Sequence, residues 1–159
     1  MAEDQQQTLV PVLAGLLLAG TNTFLVDELK KRGIDDIIPA HGSLLVHLFG
    51  GNALTLTELA ERARRTKSTV SVLVGKLEKA GYLYRKPDPR DGRVILLQLT
   101  TKGEGVQEAF LQITQEMHRR IVEELGQREL AVLEALLAKC VQVFDTQLED
   151  EFSGPMANA

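Results

Sequence analysis

The sequence contains one cysteine, no tryptophan and only seven phenylalanine and tyrosine residues. A single cysteine, Cys140, excludes an intramolecular disulfide, so a reducing compartment, the cytoplasm, is expected. The three histidines, His41, His47 and His118, are too scattered for the spacing of metal ligands, so we predict no metal and no cofactor. With so few aromatic side chains, leucine, valine and alanine must build the core.

Catalytic motifs are also lacking. The sequence has no G-x-S-x-G, no H-E-x-x-H, no glycine-rich phosphate loop and no cluster of cysteine and histidine. An enzyme is therefore not expected.

A long membrane-spanning run is not evident either. The apolar stretch Leu9–Gly20 is preceded by Glu3 and Asp4, where a signal peptide would carry positive charge. Polar residues at 21–23 interrupt it, which predicts a stretch too short to cross a bilayer. We expect a buried helix at a subunit interface and no membrane partner.

The charge of the chain is unevenly distributed. The net charge is −4, yet residues 57–103 hold 11 lysines and arginines against 5 aspartates and glutamates, a net of +6. The rest of the chain then holds 7 against 17, a net of −10. This separation is typical of a protein in which one lobe faces a polyanion.

Periodicity and capping signals predict a mostly α-helical fold. Apolar residues recur at helical spacing over 8–31 before Gly33, and Pro39 starts a second helix that ends at Gly50. Thr55 and Glu58 form a capping box for a helix of about two turns. Thr66 can cap a further helix over 67–80, which Gly81 terminates.

The helix over 67–80 has two different faces. Val70, Leu73, Val74 and Leu77 follow the i, i+3, i+4, i+7 pattern of one buried stripe. The side chains predicted to point outward are short, small or basic: Ser68, Thr69, Ser71, Val72, Gly75, Lys76 and Lys79.

A rigid hairpin is predicted next. Strand-like runs at 82–85 and 93–99 flank the loop "KPDPRDG", which two prolines stiffen and which carries Arg90 near its tip. We expect Thr101 and Glu104 to form another capping box, followed by helices over 106–125 and 127–151. The apolar stripe of the last helix includes Leu148 and Cys140; part of it should meet another subunit, and Cys140 should be buried.

Two short helices followed by an arginine-tipped hairpin have the proportions of a winged helix-turn-helix. Short side chains on the outward helix let its backbone approach base edges in the major groove, while the narrow minor groove attracts an inserted arginine. We expect Arg90 to enter the minor groove, Asp88 to orient its guanidinium, and Arg93 to brace the hairpin or contact phosphate. The predicted major-groove residues are Lys67, Ser68, Thr69, Ser71, Val72 and Lys76, and the predicted phosphate contacts are Arg64, Arg65 and Lys86.

Residues 56–104 resemble the core of the MarR family of bacterial transcriptional regulators. The most specific match is D-x-R-D-x-R in the hairpin, Asp88 to Arg93, followed by L-T-x-x-G at Leu99, Thr100 and Gly103. The resemblance implies one domain over 1–159, with a DNA-binding lobe at 38–103 and dimerisation helices at 8–33 and 104–151. It also implies a homodimer on a palindromic operator, often released by a small molecule.

Some alternatives stay open. Val72 and Gly75 stand where such proteins often carry longer polar residues, so Val72 is either a weak reader or a contact to a thymine methyl group. A winged helix kept as a protein-docking or anti-repressor module without DNA binding is the competing interpretation. Repression is the expected outcome, although activation is compatible with the sequence. His41 is a candidate for an effector pocket, and Cys140 for a redox switch.

Overall fold

The computed structural model describes residues 8–144. Within them the chain forms six α-helices and one three-stranded sheet, which confirms the mostly helical class with a small antiparallel hairpin. The elements are, in order, α1 (Val10–Lys31), α2 (Pro39–Leu45), β1 (Leu54–Thr55), α3 (Leu56–Arg62), α4 (Lys67–Lys79), β2 (Leu83–Pro87), β3 (Ile95–Leu99), α5 (Thr101–Leu125) and α6 (Gln127–Phe144).

The chain divides into two compact units, and the boundary falls inside α5 after Thr114. The first unit contains α1 to α4, the sheet and the start of α5; the second contains the end of α5 and α6. The single domain over 1–159, and the limits of the lobe and of the dimerisation helices within it, stay predictions.

Helix α1 is long, apolar and largely exposed within the first unit. Leu13, Leu16, Leu17 and Leu18 are each more than half exposed, and Leu29 near the other end is buried. By length and composition α1 could cross a membrane, so the prediction of a stretch too short to cross a bilayer is wrong. One such helix is weak evidence for a membrane span, because a helix that packs against another subunit has the same composition.

The core of the first unit lies around the central strand β3. The sheet order is β1-β3-β2, and both pairs are antiparallel, with Leu54 opposite Leu97 and Leu83 opposite Leu99. Helices α3 and α4 bury their apolar faces beside this sheet. Further buried residues include Leu44, Leu45, Leu48, Leu59, Tyr82, Val106, Phe110 and Ile113.

The start of α5 differs from the prediction. The helix begins at Thr101 rather than near Val106, and Thr100 rather than Thr101 is its capping residue. The Thr100 hydroxyl accepts a hydrogen bond from the Gly103 backbone N–H at 3.2 Å and donates one to the Gly81 carbonyl at 2.6 Å. The Thr100 hydroxyl thereby links the start of α5 to the residue that follows the C-cap of α4.

Two smaller boundaries also differ. Helix α2 ends at Leu45 and continues as a 3₁₀ turn over Val46–Gly51. Strand β2 extends through Lys86 to Pro87, so two residues assigned to the loop pair with β3.

Helix α6 is described to Phe144, and the rest of its predicted length, with Leu148, lies outside the described residues. On α6, Leu130 is buried but Leu133 and Phe144 are exposed. Cys140 is exposed as well. Its predicted burial therefore does not occur within one chain.

Candidate nucleic-acid interface

A capping box fixes the start of α3, and a tight turn joins α3 to α4. The Thr55 hydroxyl accepts a hydrogen bond from the Glu58 backbone N–H at 3.2 Å, and the Glu58 carboxylate accepts one from the Thr55 N–H at 2.7 Å. The bond from the Thr55 backbone N–H lowers the pKa of Glu58, and a second bond to the same carboxylate, donated by the Thr55 hydroxyl at 2.7 Å, lowers it further. In the turn, Arg64 has a φ of 50°, a conformation that residues other than glycine seldom adopt.

The two faces of α4 are as predicted. Val70, Leu73, Val74 and Leu77 are all buried. The residues predicted to point outward are exposed or, for Gly75, half-buried, and the Val72 side chain is 61% exposed. Because the opposite face of α4 is buried in the core, the exposed Val72 side chain is available to contact a partner.

The first turn of α4 contains a small hydroxyl cluster. Thr66 caps the helix by accepting a hydrogen bond from the Thr69 N–H at 3.3 Å. The Thr66 hydroxyl also lies 2.8 Å from the Thr69 hydroxyl and 3.1 Å from that of Ser68. Two of the predicted groove residues are therefore pre-positioned by the cap, while Ser71 lies one turn further along.

The hairpin is closed by backbone hydrogen bonds on both sides of its tip. The Asp88 N–H donates to the Val94 carbonyl at 2.8 Å, and the Val94 N–H donates to the Asp91 carbonyl at 2.9 Å. The second bond closes the turn that the Asp91-Gly92 pair predicts. The backbone of the tip is therefore held by hydrogen bonds on both of its sides.

Arg90 and Arg93 are held in different ways. The Asp88 carboxylate accepts a hydrogen bond from the Arg90 backbone N–H at 2.7 Å, so it fixes the backbone of Arg90 and not, as predicted, its guanidinium. Among residues 8–144 no hydrogen bond or ion pair engages the Arg90 guanidinium, which is exposed at the tip.

Arg93 is paired within the loop. Its guanidinium donates two hydrogen bonds to the Asp91 carboxylate, at 3.0 and 3.1 Å. This pairing lowers the pKa of Asp91 and raises that of Arg93. Arg93 therefore braces the tip, one of the two roles predicted for it.

One contact joins the hairpin to α4 and another closes the hairpin at its base, and the sequence pattern did not identify either of them. The Arg85 guanidinium of β2 donates to the Glu78 carboxylate of α4 at 3.1 Å. At the base of the hairpin, the Thr100 N–H donates to the Tyr82 carbonyl at 3.0 Å. Helix and hairpin consequently form one rigid surface.

A second polar cluster joins the segment between α1 and α2, the chain that follows α4 and the first turn of α5. The Tyr82 hydroxyl donates a hydrogen bond to the Asp36 carboxylate, and Lys102 Nζ lies 3.5 Å from the other Asp36 oxygen. Burial and the Asp36 carboxylate raise the pKa of Tyr82, so the phenol stays protonated and donates. Burial works to raise the pKa of Asp36, but the bonds from Tyr82, its own backbone and Lys102 lower it overall. No sequence signal marked this cluster.

His41 lies beside this cluster. It is buried at the start of α2, with Nδ1 3.3 Å from the Asp36 backbone carbonyl. Its Nε2 is buried and has no hydrogen-bond partner among the described residues.

Most of the predicted DNA contacts lie on two connected elements, α4 and the hairpin. The six groove residues lie on α4 and the three wing residues on one hairpin, which the Arg85–Glu78 pair ties to that helix. Arg64 and Arg65 are exposed in the turn before α4, and Lys86 is exposed on β2. No group of three or more potential ligands that could hold a metal occurs within residues 8–144.

Comparison with known proteins identifies this arrangement. Residues 35–94 match the MarR family. The multiple antibiotic resistance protein MarR of Escherichia coli is 30% identical over 122 residues, which cover 72% of this chain and 85% of that protein. The chain belongs to the MarR family.

A further relative and a solved structure are similar to this chain over most of their own length. The HTH-type transcriptional regulator YcgE of Bacillus subtilis is 29% identical over 131 residues, covering 82% of this chain and 84% of that protein. The S. aureus MepR–DNA complex has a TM-score of 0.73 at 28% identity, covering 86% of this chain and 99% of MepR. MarR-family proteins are transcriptional regulators with a winged helix and not enzymes.

Proposed function

We propose that this protein is a cytoplasmic, homodimeric repressor that binds a palindromic double-stranded DNA operator sequence-specifically and leaves it when a small molecule binds. One observation carries the DNA-binding part. The Arg90 guanidinium, which has no partner among residues 8–144, stands at the tip of a braced hairpin beside an exposed helix face of small, hydroxyl and basic residues. The MepR complex supports it, because a structural relative at 28% identity was crystallised with DNA.

The roles proposed for the side chains follow from groove shape. Helix α4 enters the major groove, where Lys67, Ser68, Thr69, Ser71, Val72 and Lys76 face bases or adjacent phosphates. Arg90 enters the narrow minor groove, where negative potential is concentrated. Arg64 and Arg65 contact phosphates through their planar guanidinium groups, and Lys86 does so as a point charge. Val72, being apolar and exposed, is suited to a thymine methyl group.

The deciding experiment measures operator binding by the Arg90→Glu variant. The operator is first selected from fragments of the source genome, and binding is then followed by fluorescence anisotropy. Loss of the inserted guanidinium is expected to cost about 1–3 kcal/mol of binding free energy, with repulsion from phosphates added. Arg128→Glu, an exposed arginine on α6, is the matched control and should bind like the parent. Unchanged affinity in a folded, dimeric Arg90→Glu protein would contradict the proposal.

Salt separates DNA binding from protein docking. Counterion release predicts that log K falls linearly with log salt, with a slope of about −0.9 for each phosphate contacted. Lys86→Ala should lower affinity uniformly across sequences and reduce that slope by about one. A docking or anti-repressor module would bind no duplex at any salt concentration.

Dimerisation is proposed from the exposed apolar side chains of α1 and α6. Leu16 and Leu17 on α1, and Leu136 and Val143 on α6, are exposed to an extent unusual for the surface of a monomer. In a two-fold dimer the two copies of α4 would enter successive major grooves about 34 Å apart. Light scattering should give twice the mass of one chain.

The matched variants for the dimer test are Leu16→Glu and Val72→Glu. Both place a carboxylate at an exposed apolar position on a helix. Leu16→Glu should produce a monomer, because a buried unpaired charge disfavours an apolar interface. Val72→Glu should remain dimeric but lose DNA. A dimeric Leu16→Glu protein would place the interface elsewhere.

Release by a small molecule is proposed with His41 as a residue of the effector site. Its buried Nε2 has no partner within the described residues, so a ligand group could supply one. His41→Ala should keep its affinity for the operator and lose its response to the effector. If His41→Ala kept both its operator affinity and its effector response, His41 would not belong to the effector site. A promoter reporter would distinguish repression from activation.

A further inference from the structure

A cleft of about 510 Å³ opens beside the Asp36 cluster in the first unit. It is lined by Gly33, Ile34, Asp35, Asp36, Tyr82, Lys102, Gly105 and Val106. Ile34 and Val106 give it apolar walls, whereas Asp36, Tyr82 and Lys102 bring charge and an aromatic ring together. Its volume lies within the usual range for small-molecule sites, about 300–1,000 Å³.

An internal cation already occupies the polar end of the cleft. Lys102 Nζ lies 3.9 Å from the centroid of the Tyr82 ring, donates to the Ala80 carbonyl at 2.9 Å, and lies 3.5 Å from the Asp36 carboxylate. A ring face, a carbonyl and a carboxylate are the three groups that recognise an ammonium ion. The Lys102 side chain is 52% exposed, so its stem can swing out into solvent.

We propose that this cleft binds a small organic ammonium compound, whose charged nitrogen replaces the Lys102 ammonium on Tyr82 and Asp36. The apolar part of the ligand lies between Ile34 and Val106. The two carboxylates of the lining, Asp35 and Asp36, exceed its single ammonium by one charge, so a cation is favoured over an anion.

The Lys102 ammonium should have opposite effects on the binding of anionic and cationic ligands. An anionic ligand would need its ammonium as a partner, whereas a cationic ligand competes with it for the same groups. Removal of the ammonium should therefore tighten binding of a cation and abolish binding of an anion. Binding in the cleft is measured without DNA, so it stands or falls independently of the proposed operator binding.

The test uses three probes with the same six-carbon chain: hexylammonium, hexanoate and 1-hexanol. Calorimetric titration of the full chain gives their dissociation constants, and a Kd of about 1 mM is expected for hexylammonium. Tyr82 and Tyr84 are the only two tyrosines and no tryptophan is present, so Tyr84→Phe leaves Tyr82 as the reporter. Its fluorescence should change with hexylammonium alone.

Three variants complete the design. Lys102→Met should bind hexylammonium about fivefold more tightly, because the competing ammonium is gone. Asp36→Asn should bind it about tenfold more weakly, because the carboxylate that faces the ammonium is lost. Lys79→Met removes an exposed lysine of α4 that does not line the cleft, and it should leave the Kd unchanged.

The possible results point in opposite directions. Preference for hexylammonium together with tighter binding by Lys102→Met supports the site. Equal binding of 1-hexanol, preference for hexanoate, weaker hexylammonium binding by Lys102→Met, or no binding at about ten times the expected Kd overturns it. Lys102→Met changes only a half-exposed side chain, so this result remains decisive even where Asp36→Asn fails to fold.

Discussion

A β-carbon at position 103 would lie 2.1 Å from the backbone carbonyl oxygen of Tyr82. The same atom would come within 3.1 Å of the Leu99 side chain. Gly103 is therefore required by close packing between the first turn of α5 and the chain that leaves α4. Because the Thr100 N–H donates to that same carbonyl, the oxygen cannot move without breaking the base of the hairpin.

Replacement of Gly103 by alanine should destabilise the protein strongly. Overpacking against a fixed carbonyl is expected to cost about 3 kcal/mol or more in the free energy of unfolding. A β-carbon on Gly105, two residues along the same helix, would meet no neighbouring group of residues 8–144 within 4 Å, so Gly105→Ala should gain about 1 kcal/mol. Urea unfolding measures both changes, and equal stability of the two variants would contradict the packing argument.

The sequence predicted α3 and α4 well because their signals are local. The Thr55–Glu58 capping box and the Thr66 cap each operate within one turn of helix. Gly81 ends α4 with a φ of 77°, as the position of a glycine after a helix indicates. The buried stripe follows from the helical repeat alone.

Contacts between distant residues were beyond local signals. The Tyr82 hydroxyl meets Asp36 across 46 positions and Lys102 meets Asp36 across 66, so no repeat or motif joins them. The choice between Thr100 and Thr101 as the cap of α5 also depended on a distant group, the carbonyl of Gly81. Likewise, an apolar stripe in the sequence does not show whether the surface that packs against it belongs to the same chain or to a second one.

Asp88 at the hairpin tip should support DNA binding despite its charge, because its side chain holds the backbone of the tip. The Asp88 carboxylate holds the backbone of Arg90, and an asparagine oxygen can accept the same hydrogen bond. Asp88→Asn should therefore bind operator at least as tightly as the parent, because a repelling charge is gone. Asp88→Ala removes the same charge and the acceptor, and should bind about fivefold more weakly. Anisotropy titrations compare the pair, and equal affinities would show that the bond to Arg90 is irrelevant.

The turn before α4 offers a test that separates stability from DNA binding. Arg64 has a positive φ, which costs a non-glycine residue about 1 kcal/mol, so the unfolding free energy of Arg64→Gly should exceed that of Arg64→Ala by that amount, since both variants lose the same side-chain contacts. Arg65 does not have a positive φ, and the unfolding free energy of Arg65→Gly should fall below that of Arg65→Ala by about 0.5–1 kcal/mol. All four variants should lose operator affinity if both arginines contact phosphate. Thermal unfolding in which Arg64→Gly is less stable than Arg64→Ala would contradict the backbone argument.

The bond between Tyr82 and Asp36 connects the chain that follows α4 with the segment between α1 and α2. Its strength depends on ionisation of the carboxylate, because a protonated Asp36 loses the attraction of Lys102 and accepts more weakly from Tyr82. Hydrogen bonds lower the pKa of Asp36 below its usual value of 3.8 in the folded chain. A carboxyl whose pKa falls on folding stabilises the protein above its unfolded pKa, and this stabilisation is lost as the pH falls through the folded pKa.

Asp36→Asn should consequently be less stable than the parent by a constant margin at neutral pH. The margin should begin to shrink as the pH falls through about 3.8 and should be lost below the folded pKa of Asp36, where the parent carboxyl is also neutral. Urea titrations from pH 7 to pH 2.5 measure it. Asp35→Asn is the matched control, since Asp35 has no hydrogen-bonded side chain within residues 8–144, and its margin should be small throughout. A margin for Asp36→Asn that stays constant down to pH 2.5 would mean that the charge of Asp36 does not contribute, and that only the shape of its side chain matters.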